Sequence, residues 1–283
     1  MEGCALIRKA IETATGLLIG RFGTIEFDVL WAKANGHAIS KDMLSVLERN
    51  AGVFGEVVEW CSEYMEAVKA ADFMATGWYE PIKVREQTLL AGFTGKQVAL
   101  RSLEPYYWDE SVRWSCVLKG KVCVVSSFAD TIMKQVRKDM NNGIWSKVDG
   151  AMWDNIEWSA VRTGYAPSLA LGRASWQCVS CASCDPSSWK DCVDYVVEEV
   201  LQTGARTAII GCGGLGMIIG ARLKAAGKIC LVLGGATQVL FGIKGRRWEN
   251  HVISKLWGPD WVWPSLDETP GGASQVERGC YWG

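Results

Sequence analysis

Histidine is scarce: His37 and His251 are the two in 283 residues. Neither has the local setting of a nucleophilic triad, and no G-x-S-x-G elbow is present, which argues against a Ser-His-Asp hydrolase. Net charge is lacking too. Thirty Lys+Arg against 31 Asp+Glu leave −1 at pH 7, so no global field draws the chain to nucleic acid or to an acidic membrane, and any phosphate site must be local. Nor is there a long apolar run. The longest, from Ile229 to Ile243, is broken by Gly234, Gly235, Thr237 and Gln238 and falls short of the roughly 20 residues of a spanning helix, which predicts no transmembrane segment. Repeats, low-complexity tracts and charge blocks are absent. Met1, Glu2 and Gly3 are acidic where a secretory leader would be basic, which predicts a cytoplasmic protein that starts near Met1. Eleven cysteines are an odd count, and Cys123, Cys212 and Cys230 lie in apolar strand-like runs, where reduced, buried thiols are the expected occupants.

What is there is the material of a globular core, with 49% hydrophobic and 22% charged residues. Short β-branched runs alternate with longer helical patterns, which predicts an α/β protein with a mainly parallel sheet flanked by helices. The strands are expected at Gly16–Arg21, Asp72–Thr76, Gln97–Leu100, Lys121–Ser126, Arg206–Ile210 and Lys228–Leu233. The helices are expected at Ile25–Ala34, Lys41–Glu48, Val57–Ala70, Ile82–Ala91, Thr131–Met140, Trp189–Thr203, Leu215–Ala226 and Ala236–Phe241. Pro105–Asp109, with Tyr106, Tyr107 and Trp108, reads as a joint between two closely packed halves, 1–108 and 109–283, of one domain. In such sheets ligands sit outside the carboxyl ends of the strands.

Three loops there can carry chemistry. In Gly20-Arg21-Phe22-Gly23-Thr24-Ile25-Glu26, a strand ends in an arginine between glycines, Thr24 is placed to cap a helix, and Glu26 falls in its first turn. Helix-start amides with Arg21 can hold an anion. Glu26 can ligate Mg²⁺ or Mn²⁺, or it can simply favour the helix dipole. Gly211-Cys212-Gly213-Gly214-Leu215-Gly216 follows a strand and reproduces G-x-G-x-x-G. A dinucleotide site would also want a carboxylate after the next strand, and Leu231-Val232-Leu233-Gly234-Gly235 offers none. Packing alone is the other use for those glycines. The third loop, Gly234-Gly235-Ala236-Thr237-Gln238, runs on to Lys244, Arg246 and Arg247; guanidinium forks match a diphosphate, while a solvated basic turn is the plainer alternative. Elsewhere, Cys178, Cys181, Cys184 and Cys192 could hold Zn²⁺ or an iron–sulfur cluster, or stay free thiols. Of the fifteen Trp, Trp257, Trp261 and Trp263 could stack on sugar rings or pack the core.

Gly20-Arg21-Phe22-Gly23-Thr24-Ile25-Glu26-Phe27 resembles the R-F-G-D-G-E element of the GT-D-type glycosyltransferases. The likeness continues through Leu118-Lys119-Gly120-Lys121 to Phe128-Ala129-Asp130-Thr131-Ile132. It resumes at Gly234–Gln238 and Phe241–Trp248, and ends at Glu268-Thr269-Pro270 and Gly279-Cys280-Tyr281-Trp282. The resemblance implies a Rossmann-like, GT-D-like fold and a transferase that moves a sugar from a UDP-sugar to a hydroxyl of a glycan or glycoprotein acceptor, usually with Mn²⁺ or Mg²⁺. Glu26 matches the glutamate of the family's Asp-x-Glu, and Thr24 stands at its aspartate. On this reading Glu26, as metal ligand or base, and Arg21 are catalytic. Gly20, Gly23, Thr24, Gly211, Gly213, Gly214, Gly234, Gly235, Gln238, Lys244, Arg246 and Arg247 bind the nucleotide sugar. An S-adenosylmethionine-dependent methyltransferase and a non-catalytic nucleotide-sugar-binding protein are the alternatives.

Overall fold

The computed structural model describes residues 2–176 and 186–283. The chain opens with α1 (Glu2–Thr13), β1 (Leu17–Arg21), α2 (Thr24–Ala34), α3 (Lys41–Ala51), α4 (Val57–Ala70), β2 (Phe73–Thr76), α5 (Lys83–Leu89) and β3 (Lys96–Ala99). After short 3₁₀ turns follow β4 (Gly120–Ser126), α6 (Ala129–Gln135), β5 (Ile156–Arg162), α7 (Pro167–Ala170), α8 (Trp189–Gln202), β6 (Thr207–Gly211), α9 (Gly216–Ala225), β7 (Ile229–Val232) and α10 (Ala236–Leu240). Seven strands form one sheet in the order β3-β2-β1-β7-β6-β4-β5, and every pair is parallel.

The central strands are apolar along their length because helices cover both faces. Alternation within a strand then sends neighbours to opposite cores: Leu18 joins Phe27, Leu47, Trp60, Val193 and Ile218 on the face of α2–α4, α8 and α9. Leu17 and Ile19 join Ile7, Ile132, Trp145, Leu240 and Trp282 on the face of α1, α6 and α10. Right-handed crossovers dictate this division, since connections that run in opposite directions along the sheet must use opposite faces. The chain leaves β4 toward one face and its neighbour β6 toward the other; the same is true of β7 and β1. A parallel sheet opens a crevice at each such divergence, so the topology provides two, side by side.

Strands from before and after residue 108 share this sheet through the β1–β7 pair, Leu17 opposite Ile229 and Ile19 opposite Leu231. At the expected joint the chain makes 3₁₀ turns, Pro105–Tyr107 among them, and Arg113, 1% exposed, ties them down. Its guanidinium donates to the carbonyls of Pro105, Trp108, Asp149 and Ala151, so the buried charge is met by backbone dipoles.

Three expectations are corrected. β5 was not expected: it is a half-buried edge strand in which Glu157, Ser159 and Arg162 interrupt the apolar run that marks its neighbours. α1 was not expected either, although Cys4, Ile7 and Ile11 fall on one helical face. α6 occupies Ala129–Gln135 rather than Thr131–Met140. It starts early because the buried Glu268 carboxylate accepts from the amides of Asp130 and Thr131 at 2.8 and 3.1 Å. The chain then makes a separate wide turn, capped by Asp139 through the Asn142 amide. Among the described residues no helix is long and apolar enough to cross a membrane.

Replacing Arg113 by Met strands several buried carbonyls, so urea denaturation should show a loss of about 3 kcal/mol. The same test on exposed Arg173→Ala should show a change within about 0.5 kcal/mol.

Candidate functional site

The larger crevice lies at the carboxyl ends of β1, β2, β3 and β7 and encloses about 530 Å³. Arg21, Thr24, Glu26, Trp78, Glu104, Gly234, Gly235, Arg247, His251 and Tyr281 line it. Residues from the beginning and end of the chain therefore share one cleft. The smaller crevice, about 130 Å³, lies at the ends of β4, β5 and β6, with Ser126, Thr163, Gly211, Thr237, Gln238 and Trp282 in its wall.

Arg21 ends β1. Its Nη1 donates to the Phe22 carbonyl at 3.1 Å, and its guanidinium carbon lies 5.1 Å from the centre of the Trp78 ring. It forms no ion pair with a carboxylate among the described residues, so its charge is available to the cleft. Trp78 is positioned by the turn after β2. There Gly77 takes φ +68° and its amide donates to the buried Glu86 carboxylate at 2.7 Å. Gly234 faces Arg21 with φ +59°, and a Cβ there would stand 2.9 Å from Arg21 Nη2. Backbone conformation and close approach both require glycine at this point.

Glu26 is 8% exposed and sits at the third position of α2, where Gly23, not Thr24, is the N-cap. The Glu26 carboxylate folds back so far over Gly23 that a Cβ at that position would overlap it. Burial pushes the Glu26 carboxyl above its ordinary value, while its own amide and the charge of Arg21 pull the other way.

Arg247 enters from the opposite wall. Its Nη1 donates to the Tyr281 hydroxyl at 2.9 Å and its Nη2 pairs with Glu277 at 2.6 Å, leaving the side chain 34% exposed. His251 Nδ1 accepts from the Ile253 amide at 3.3 Å. Burial, together with the charge of Arg101, lowers its pKa and favours the neutral ring.

Other expected contacts lie elsewhere. Gly20 packs beneath Met217. Gly214 packs against Val53 and its carbonyl accepts from Trp60 Nε1 at 2.9 Å. Lys244 lies 5.6 Å from the Trp257 ring, and exposed Arg246 donates to the Arg278 carbonyl; neither lines a crevice. Gly211 and Gln238 belong to the smaller crevice and Gly213 to both. Trp257, Trp261 and Trp263 pack on one another, away from both. Cys192 is buried in α8, whereas Cys178, Cys181 and Cys184 lie outside the described residues.

Among the described residues no group of three His, Cys, Asp or Glu gathers to hold a metal. Glu26 lies beside a guanidinium, and the other cleft carboxylates, Glu104 and Glu277, pair with Arg101 and Arg247, a set that does not fit a resident divalent cation, which takes several hard oxygen ligands.

The cleft also contains residues that no motif flagged. Trp78 and Tyr79 follow a glycine after a strand, the same local pattern as the three recognised loops. Glu104, His251 and Glu277 arrive from irregular segments and carry no local signal, whereas Trp248 and Tyr281 lie in segments of the family resemblance, which assigns them no role.

Compared with known proteins, the chain matches no family model, no curated protein and no solved structure.

A carboxyl whose pKa is raised by folding contributes stability at low pH that is lost as pH rises through the raised value. Glu26→Gln should therefore be more stable than the wild type at roughly pH 8, and this advantage should vanish at roughly pH 4, near the ordinary glutamate range. Urea midpoints at the two pH values measure it.

Proposed function

We propose that the protein is a GT-D-type glycosyltransferase that transfers a sugar from a UDP-sugar to a hydroxyl of a glycan or glycoprotein acceptor. The observation that carries this reading is the meeting of Arg21, Arg247 and buried Glu26 around Gly234–Gly235 in one cleft. Breaking the anomeric C–O bond leaves negative charge on the departing diphosphate, and fixed positive charge in a partly desolvated cleft stabilises it. Arg21, with no ion pair of its own, and Arg247, held by Glu277 and Tyr281, supply that charge from two sides. Gly234 and Gly235 let the diphosphate approach the backbone between them.

Glu26 is the candidate base. A carboxylate made more basic by burial takes the proton of an acceptor hydroxyl more readily than an exposed one. Trp78 and Tyr79 offer aromatic faces for sugar rings, and Glu104 can accept from sugar hydroxyls. Eight free cysteines among the described residues accord with a reducing compartment such as the cytoplasm.

The methyltransferase alternative fits less well, because two guanidinium groups repel a sulfonium cation. The non-catalytic nucleotide-sugar binder is kept as the second reading. Thr24 at the family's aspartate, and a cleft without a metal donor set, are what favour it.

Calorimetric titration should show UDP binding that weakens at least tenfold, about 1.4 kcal/mol, in Arg247→Ala and in Arg21→Ala. Glu26→Gln should keep UDP affinity while UDP release from a UDP-sugar falls by about 100-fold. Wild-type protein that binds UDP without turnover would establish the binder instead, and no UDP affinity would end both readings.

A further inference from the structure

The smaller crevice holds a concentration of unmet hydrogen-bonding groups. Folded proteins leave few buried polar side-chain atoms without a partner, because each costs free energy. Among the described residues twelve such atoms remain, and six belong to residues that line this cavity: Arg49 Nε, Trp176 Nε1, Thr237 Oγ1, Gln238 Oε1, Trp282 Nε1 and the Oδ1 of Asn50, which lines the larger cleft as well. Thr237, Gln238, Trp176 and Trp282 are themselves more than nine-tenths buried. The polarity of Gln238 is fixed. Its Nε2 donates to the carbonyls of Lys244 and Tyr281 at 2.8 and 3.2 Å, so its Oε1 is an acceptor in want of an N–H.

We infer that this cavity is the nucleobase subsite, and that it takes a pyrimidine dione with a ring N–H between two carbonyl oxygens. The inference rests on the reading that a nucleoside diphosphate occupies the larger cleft, and it adds where the base goes and what selects it. The two crevices adjoin, with Asn50, Gly213, Gly234, Gly235, Val276 and Tyr281 in the wall of both. A diphosphate held at Gly234–Gly235 can therefore extend a group into each. The charged groups sort the two ends. Glu26, Glu104 and Glu277 line the larger cleft, whereas the smaller has a single charged residue, Arg49. Sugar and acceptor hydroxyls belong beside the carboxylates, with the reacting carbon near Glu26. A neutral ring belongs in the other.

The unmet groups describe that ring. Two indole N–H groups and Arg49 Nε–H require acceptors, and the Gln238 and Asn50 oxygens require donors. A uracil edge offers acceptor, donor and acceptor in sequence. A space of about 130 Å³ accommodates roughly ten water-sized groups, enough for a pyrimidine ring with its two carbonyl oxygens, so the choice of base rests on the hydrogen-bonding pattern.

Thr237→Val and Trp282→Phe test the assignment, since Thr237 Oγ1 has no partner in the fold and Trp282 Nε1 has at most the Tyr165 hydroxyl. Both variants should melt at or near the wild-type temperature. Calorimetry with UDP, ADP, uridine, inorganic pyrophosphate and free glucose then separates the sites. The wild type should bind UDP at least tenfold tighter than ADP and should bind uridine. Both variants should lose at least fivefold for uridine and UDP with pyrophosphate unchanged, and Arg247→Ala should lose pyrophosphate and keep uridine. Equal affinity for UDP and ADP, or variants that bind uridine and UDP as the wild type does, would overturn the subsite and leave the transferase reading standing. Glucose binding that weakens in Thr237→Val or Trp282→Phe would overturn it in favour of a sugar subsite. Wild-type protein that binds uridine but not pyrophosphate would remove the diphosphate reading and keep the subsite.

Discussion

The pairing of β1 with β7 is the constraint on which the rest depends. It places the first strand of the chain beside the last, Leu17 opposite Ile229 and Ile19 opposite Leu231, so the loops that leave both strands emerge at the same edge of the sheet. Arg21 then stands against Gly234 as a consequence of register. Because the two strands send their chains to opposite faces, the loops part instead of packing together, and the larger cleft is the gap they leave. The neighbouring divergence of β4 and β6 opens the smaller one by the same geometry. Without the parallel sheet, residues more than two hundred positions apart in sequence would have no reason to meet.

Beyond α10 the chain has little regular structure, yet it supplies Arg247, His251, Glu277 and Tyr281 to the cleft. Local propensity cannot hold such a segment, so individual polar contacts do. Glu268 reaches α6. Gln135 Nε2 donates to the carbonyls of Phe241, Gly242 and Asp260, and Trp261 Nε1 donates to the Ile144 carbonyl at 2.9 Å. Large aromatic rings fill the space between these contacts, Trp145 stacked on Tyr106 and packed edge-on to Trp261. Five of the fifteen Trp fall in this tail, where large rings bury much area per position in a segment without long helices or strands.

How much was legible follows from where the information resides. β1, β2, β4, β6 and β7 are legible because buried parallel strands are largely apolar and bounded by glycine; β3, an edge strand buried only at Val98, is legible from that β-branched residue and the preceding Gly95. β5 is not, because Glu157, Ser159 and Arg162 break its apolar run. Arg21, Glu26, Gly234 and Gly235 are legible as loop residues at strand ends, where a local pattern exists. Lys244, Arg246 and Arg247 form a cluster in sequence but not in space. A 3₁₀ turn over Arg246–Trp248 points successive side chains apart, so Arg247 enters the cleft while Arg246 stays at the surface. Charge counted along a chain is a poor guide to charge in a pocket when the backbone turns every few residues. Glu277 and His251 reach the cleft through tertiary contacts alone, which no window of sequence contains.

The two crevices are also where the protein departs most from what stability would choose. A carboxylate at Glu26 is buried against its preference for water, Arg21 keeps its charge without a carboxylate partner, and the atoms left without hydrogen bonds concentrate at the smaller cavity. In the cores these departures are few, and a buried charge such as Arg113 is fully met. An arrangement that only served the fold would have satisfied or replaced those groups, since the same sheet satisfies comparable ones a few residues away. Their persistence at the carboxyl edge, on both sides of one glycine pair, is the pattern expected when binding rather than folding determines the side chains.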